Sequence, residues 1–231
     1  MTTIFLRIWS EYACFTRPEM KVERVSYDVM TPSAARAVLE TIYWKPTIRW
    51  VIDKIHVLKP IRFTNIRRNE LSNKISVRNI STSMKENNYF GTFIEDERQQ
   101  RAATVLKDVE YVIEAHFLIL SIQELQQKGF DPKNFSLEEN YERKHLGIFN
   151  RRAEQGQCYK RPFLGCREFS AHFELIKDKN IIPKSQVPDK DLGWMLYDID
   201  FEHDKIPMFF HAQLTHGIVY IPAPDSKEVK T

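Results

Sequence analysis

The chain has 231 residues, enough for one large domain or for one domain with a small appendage. Its 42% hydrophobic and 28% charged residues are an ordinary globular balance, which argues against wholesale disorder, and no run of about 18 apolar residues offers a membrane span. The formal charge of +3 is spread unevenly: residues 1–100 carry +5 and residues 181–231 carry −3.

Residues 2–15 favour a strand, with Ile4, Leu6 and Ile8 on one parity and Arg7 on the other. The same apolar stretch, interrupted by arginine and lacking a small-residue cleavage pattern, reads as that strand and not as a signal peptide, so a cytoplasmic location is expected. A helix follows a linker. Thr31 can accept from free N–H groups of the first turn, and Pro32 suits the first helical position. Ala35, Val38, Leu39 and Ile42 then line one face. Pro46 forces Lys45 out of helical geometry, so the helix stops near Trp44 and Tyr43 sits in its last turn.

Residues 48–63 alternate as a long strand, with Trp50 and Ile52 giving way to a switched parity at Ile55 and Val57, interrupted or ended at Pro60. The polar stretch 64–98 reads as an inserted loop or irregular hairpin, and so long a weakly patterned segment suggests function. Residues 101–122 form another strand. Val109, Tyr111, Ile113, Ala115 and Phe117 share one parity, leaving His116 on the more polar face. Ser136-Leu137-Glu138-Glu139 is a capping box opening a second helix, with Gly156 as its stop. Residues 163–176 read as a strand, and 192–222 as several short strands.

The order is β-α-β-(insert)-β-α-β plus extra strands. That predicts an α+β, ferredoxin-like (RRM-like) βαββαβ domain over residues 1–177, with the insert at about 64–98, and a small C-terminal β subdomain over 178–231.

The chemistry-bearing residues exclude more than they select. Cys14, Cys158 and Cys166 are an odd number without metal-ligand spacing and read as free thiols. None of the seven histidines sits in a HExxH frame, and His203, His211 and His216 are loosely spaced, so no metal site is expected. Walker, GxGxxG and serine-elbow motifs are absent, and no cofactor is expected. Metal-free acid–base chemistry remains, and RNA cleavage needs little more. A base takes the 2′-OH proton, an acid protonates the leaving 5′ oxygen, and a cation offsets charge on the phosphate. His116 is the best-placed histidine, with Tyr43 and Lys45 as candidate companions. The bland alternatives are a structural histidine, a packed tyrosine and a solvated lysine. Basic residues cluster at 59–78 and along the second helix and its following turn, where Arg pairs readily with phosphate. Arg24, Arg67, Arg68, Lys74, Lys144, Arg151, Arg152, Lys160 and Arg161 are therefore the candidate RNA contacts.

Several longer stretches carry a resemblance. FTRPEMKVERVSYDVMTPSAARAVLETIYWKP (15–46), IRFTNIRRNE (61–70), RQQRAATVLKDVEYVIEAHF (98–117), KRPFLGCREFSAHFEL (160–175) and LGWMLYDIDF (192–201) closely resemble the CRISPR-associated Cas-five family in its subtype I-C form. The resemblance implies an RRM-like domain with a C-terminal β extension. It also implies a metal-independent endoribonuclease that cuts CRISPR repeat RNA at the base of its hairpin and keeps the crRNA 5′ handle in the type I-C Cascade complex. Its partners would be that RNA and the other subunits of the complex, with contact to target DNA left open and no membrane. The family's catalytic tyrosine corresponds to Tyr43 and its histidine to His116. Its lysine has no direct counterpart, since Glu114-Ala115 precedes the histidine here, which leaves Lys45, Lys107 or Lys144 as substitutes. The rival reading is a non-catalytic scaffold that caps the 5′ handle, and a more distant one is general duplex-DNA binding.

Overall fold

The computed structural model describes residues 2–20, 22–131, 133, 135, 141–185, 187–201 and 205–231. It is a mixed protein dominated by one antiparallel sheet. The strands are β1 (Ile4–Ala13), β2 (Ile48–Val57), β3 (Phe63–Leu71), β4 (Arg98–Ile119), β5 (His172–Ile176), β6 (Lys190–Asp200), β7 (Ile206–Thr215) and β8 (Ile218–Tyr220). Their order is β5-β1-β4-β2-β8-β7-β6, with β3 paired to the first part of β4.

Helix α1 (Pro32–Ile42) forms as its sequence dictates. Thr31 Oγ1 accepts from the Ala34 N–H at 3.3 Å, Pro32 opens the helix, and Ala35, Val38, Leu39 and Ile42 are buried. Each large aliphatic side chain so buried contributes about 1.5–3 kcal/mol. The second large helix, α5 (Glu142–Glu154), packs against α1 and β5 and buries His145, Phe149 and Ala153. Gly156, at φ +65°, ends it. The Ser136–Glu139 capping box lies outside the described residues. Both helices and the inward-facing residues of β1, β2 and β4 share one core, which continues into β6, β7 and β8.

β4 is the longest strand, and Asp108 divides it. Asp108 has φ +54°, a left-handed turn that aspartate tolerates better than most residues, and Lys59 Nζ holds its carboxylate at 2.6 Å. Beyond it, residues 109–119 run between β1 and β2. Before it, residues 98–106 pair with β3 in a projecting hairpin. The insert is therefore an irregular hairpin, with α2 (Val77–Glu86) and the short α3 (Ile94–Glu97) toward its tip. A further helix, α4 (Ile122–Gln127), is opened by a capping box between Ser121 and Glu124.

Two sequence expectations are corrected. The strand expected over 163–176 is confined to His172–Ile176. Pro162 and Gly165 break the earlier part, and Gly165, at φ +82°, presses so close to the Cys14 carbonyl that an added Cβ would lie 1.9 Å from it. The resulting loop is tied to β1's end by the Cys14 N–H donating to Leu164 O at 3.0 Å. The strand expected over 48–63 ends at Val57, before Pro60. In the C-terminal part, β8 pairs with β2, and β7 and β6 continue the sheet from it.

Candidate functional site on the open face of the sheet

Strand alternation sends neighbouring residues to opposite faces, and this separates the expected catalytic set. Phe117 and Trp50 point to the helix face, where they meet His145 and Phe149. His116 points the other way, toward the face without α1 and α5. Tyr43 belongs to the helix face: it is 2% exposed, and its hydroxyl lies 2.7 Å from His145 Nδ1. Burial raises the Tyr43 pKa, so the phenol keeps its proton and donates a hydrogen bond through it. Burial, together with the charges of Lys144 and Lys45, lowers that of His145, which leaves a neutral imidazole to accept at Nδ1. Lys45, exposed in the turn after α1, lies on this side as well. The structure thus does not bring Tyr43 and Lys45 to His116. His145, on the second helix, is Tyr43's partner.

On the open face, His116 Nδ1 lies 2.9 Å from Asp53 Oδ2, with 20% of the histidine side chain and 32% of the aspartate exposed. One rung along, Glu114 accepts from Lys54 Nζ at 2.8 Å and lies 3.1 Å from His56 Nε2. Tyr220, on β8 opposite Lys54, stands exposed with its ring 6.0 Å from the ammonium. A carboxylate that fixes one imidazole nitrogen leaves the other free to exchange a proton with a ligand, which is the geometry of a general acid or base. Sequence parity found His116. Asp53, Lys54 and His56 were missed, although the parity switch between Ile52 and Ile55 signals the irregularity that places them.

The candidate RNA contacts fall into two groups. Arg67, Lys74, Arg151, Lys160 and Arg161 are exposed. Tyr159, 96% exposed, continues the patch from Lys160 and Arg161, and its N–H donates to Thr41 O at 2.8 Å, which ties this loop to α1. The others are engaged within the protein. Arg24 pairs with Glu70 at 3.0 Å. Arg68 pairs with Glu168 and lies over the Phe169 ring. Arg152 donates to Ile42 O at 3.0 Å and lies over the Tyr43 ring, which closes the C-terminal end of α1. Lys144, in the first turns of α5, is half-buried and also has a partner.

Among the described residues, Cys14, Cys158 and Cys166 are free thiols, and no group of three or more His, Cys, Asp or Glu is placed to hold a metal ion. His203 of the loosely spaced histidine group lies outside the described residues. No described helix is long and apolar enough to cross a membrane.

Comparison with known proteins fits this framework. Residues 3–222 match the family profile described as CRISPR-associated protein (Cas_Cas5). A protein of Mannheimia succiniciproducens named CRISPR pre-crRNA endoribonuclease Cas5d is 55% identical over 233 residues, covering 98% of both chains. A protein of the same name from Thermus thermophilus is 36% identical, covering 99% of this chain and 95% of its own. Two solved structures share the fold over the whole chain and 97% of their own length. A CRISPR-associated protein superposes with a TM-score of 0.68 at 21% identity, and a functionally uncharacterized protein from Streptococcus mutans with 0.66 at 22%. With a profile match across nearly the whole chain and relatives this similar from end to end, the chain belongs to the CRISPR-associated Cas5 family, in its Cas5d form.

Proposed function

We propose that the chain is a metal-independent endoribonuclease that cleaves CRISPR repeat RNA and then holds the crRNA 5′ handle as a subunit of the type I-C complex. Kinship with two relatives named pre-crRNA endoribonucleases supports the substrate. The observation that carries the chemistry is the solvent-facing His116–Asp53 pair. In this reading His116 Nε2 takes the 2′-OH proton as the 2′ oxygen bonds to phosphorus. The P–O5′ bond breaks, the departing 5′ oxygen takes a proton from water, and a 2′,3′-cyclic phosphate remains. Asp53 favours the imidazolium that forms. Tyr43 acts at a distance, as a positioning residue that seats His145 and the start of α5.

The strand order β5-β1-β4-β2, with α1 and α5 on one face, supports a ferredoxin-like core extended by residues 178–231. Arg67, Lys74, Arg151, Lys160 and Arg161 are the side chains we assign to the RNA backbone. The test is incubation with the cognate repeat hairpin in EDTA. Cleavage at one position is expected, yielding a cyclic phosphate and a 5′-OH, with none where the 2′-OH at the cut is replaced by hydrogen. Loss of cleavage in EDTA, or cleavage of the 2′-deoxy substrate, overturns the mechanism. Tight binding without cleavage points instead to a handle-capping scaffold.

A further inference from the structure

A regular strand cannot present two consecutive residues on one face, yet β2 does so. Its pairing with β4 runs Ile52 to Ala115 and then Lys54 to Glu114, leaving Asp53 as the extra residue of a bulge. Ile52 and Ile55 both stay in the core, while Asp53 reaches His116 and Lys54 reaches Glu114. The bulge thereby brings an orienting carboxylate and an ammonium onto the face that carries the imidazole. His116 and Glu114 are two residues apart on one face of β4, a separation of about 7 Å, so Lys54 stands roughly a phosphodiester's length from the imidazole.

We propose that Lys54 is the cation of the cleavage centre, contacting a non-bridging oxygen of the scissile phosphate while His116 exchanges the proton. The proposal rests on the ribonuclease reading and names the cation that reading lacks. Ala115, next to His116 in the chain, points into the core, and the bulge supplies the positive charge on the open face from the neighbouring strand. An ammonium has three protons, and Glu114 accepts one of them, which leaves donors for a phosphate. The Lys54 side chain is 34% exposed, against 14% for Glu114, so the pair opens toward solvent on the lysine side. Beside it lies an open groove of about 970 Å³, lined by Lys54, Lys179 and Lys184 together with the carboxylates of Glu114 and Asp189. A charge-assisted hydrogen bond formed as negative charge builds on the phosphate stabilises the transition state more than the ground state.

The experiment is single-turnover cleavage of the repeat hairpin, with binding measured in parallel, by wild type, Lys54→Ala, Lys54→Arg and the double variant Lys54→Ala/Glu114→Gln. The double variant avoids leaving the half-buried Glu114 charge without its partner. Lys54→Ala and the double variant should both slow cleavage roughly 100-fold, the usual effect of losing one transition-state donor. Kd should move by less than about threefold and Lys54→Arg should restore much of the rate, since the contact is electrostatic and made mainly in the transition state. Sulfur substituted for one non-bridging oxygen at the cut should slow wild type, and that effect should shrink in the double variant, which a merely structural lysine would not cause. A folded double variant that cleaves within about threefold of wild type overturns the assignment and leaves the nuclease intact. Failure of wild type to cleave removes both.

Discussion

The two faces of the sheet each hold a histidine with a hydrogen-bond partner, and they differ in nearly everything else. On the helix face, His145 accepts a hydrogen bond from the neutral Tyr43 phenol, enclosed by Trp50, Phe117 and Phe149. His145 and Tyr43 are 4% and 2% exposed, and burial holds both in their uncharged forms. On the open face, His116 meets the Asp53 carboxylate with solvent within reach, beside a lysine and a second carboxylate. A neutral pair in a dry core satisfies its polar atoms and fixes packing. A histidine–carboxylate pair at a wet surface can accept a proton and bear the charge. Substitutions on the open face should therefore change rates, and those on the helix face should change stability.

The strongest way to break this contrast is His116→Ala. Loss of a positioned acid–base group lowers a rate by about 10²–10⁴-fold, and this variant should show that loss with its melting temperature nearly unchanged. Asp53→Asn, which keeps the shape but not the charge, should lose less, with the same preserved melt. Both are read in single-turnover cleavage beside a thermal scan. A His116→Ala protein that cleaves at the wild-type rate would leave the open face without a catalytic role.

Much of this contrast is legible in the sequence, and the rest fails for identifiable reasons. Helix α1 is readable because its cap, its proline and its apolar spacing agree. His116 is readable because the opposite parity of β4 is continuously apolar, which leaves only one face for it. The Tyr43–His145 bond joins residues 102 apart, and no local pattern predicts such a pairing. Family likeness groups Tyr43 with His116, and only the pleat shows that they face opposite ways. Arg151 and Arg152 look equivalent as a dipeptide, yet neighbours on a helix point about 100° apart. One stays in solvent and the other turns in to Ile42 O. The loop at 163–171 escapes because its apolar residues, Phe163, Leu164 and Phe169, pack as a strand's would while Gly165 turns the backbone.

Tyr43→Phe sharpens the comparison from the other side. It removes one oxygen, leaving His145 Nδ1 without the donor it now has in a site closed to water. An unsatisfied buried acceptor costs about 1–3 kcal/mol, which urea unfolding would register. Cleavage should fall far less than in His116→Ala, because the phenol does not reach the open face. A Tyr43→Phe variant as inactive as His116→Ala, with unchanged stability, would mean that the helix face opens to RNA during the reaction.

The subtlest difference is in pH dependence. Burial, then the charges of Lys144 and Lys45, hold the His145 pKa below its ordinary value, so the folded state disfavours its proton and the unfolded chain does not. As pH falls through about 6.5, the unfolded state takes up that proton first, and stability must decline. The decline continues until pH passes below the folded-state value, where both forms are protonated and the curve flattens. His145→Gln removes the titrating group while leaving an amide oxygen able to accept from Tyr43. Urea midpoints measured from pH 7.5 to 5.5 should therefore fall more steeply for wild type than for His145→Gln, with the other histidines common to both. Parallel curves would show that His145 takes up its proton equally well in both states, and the helix face would then not be the dry compartment that separates it from the open one.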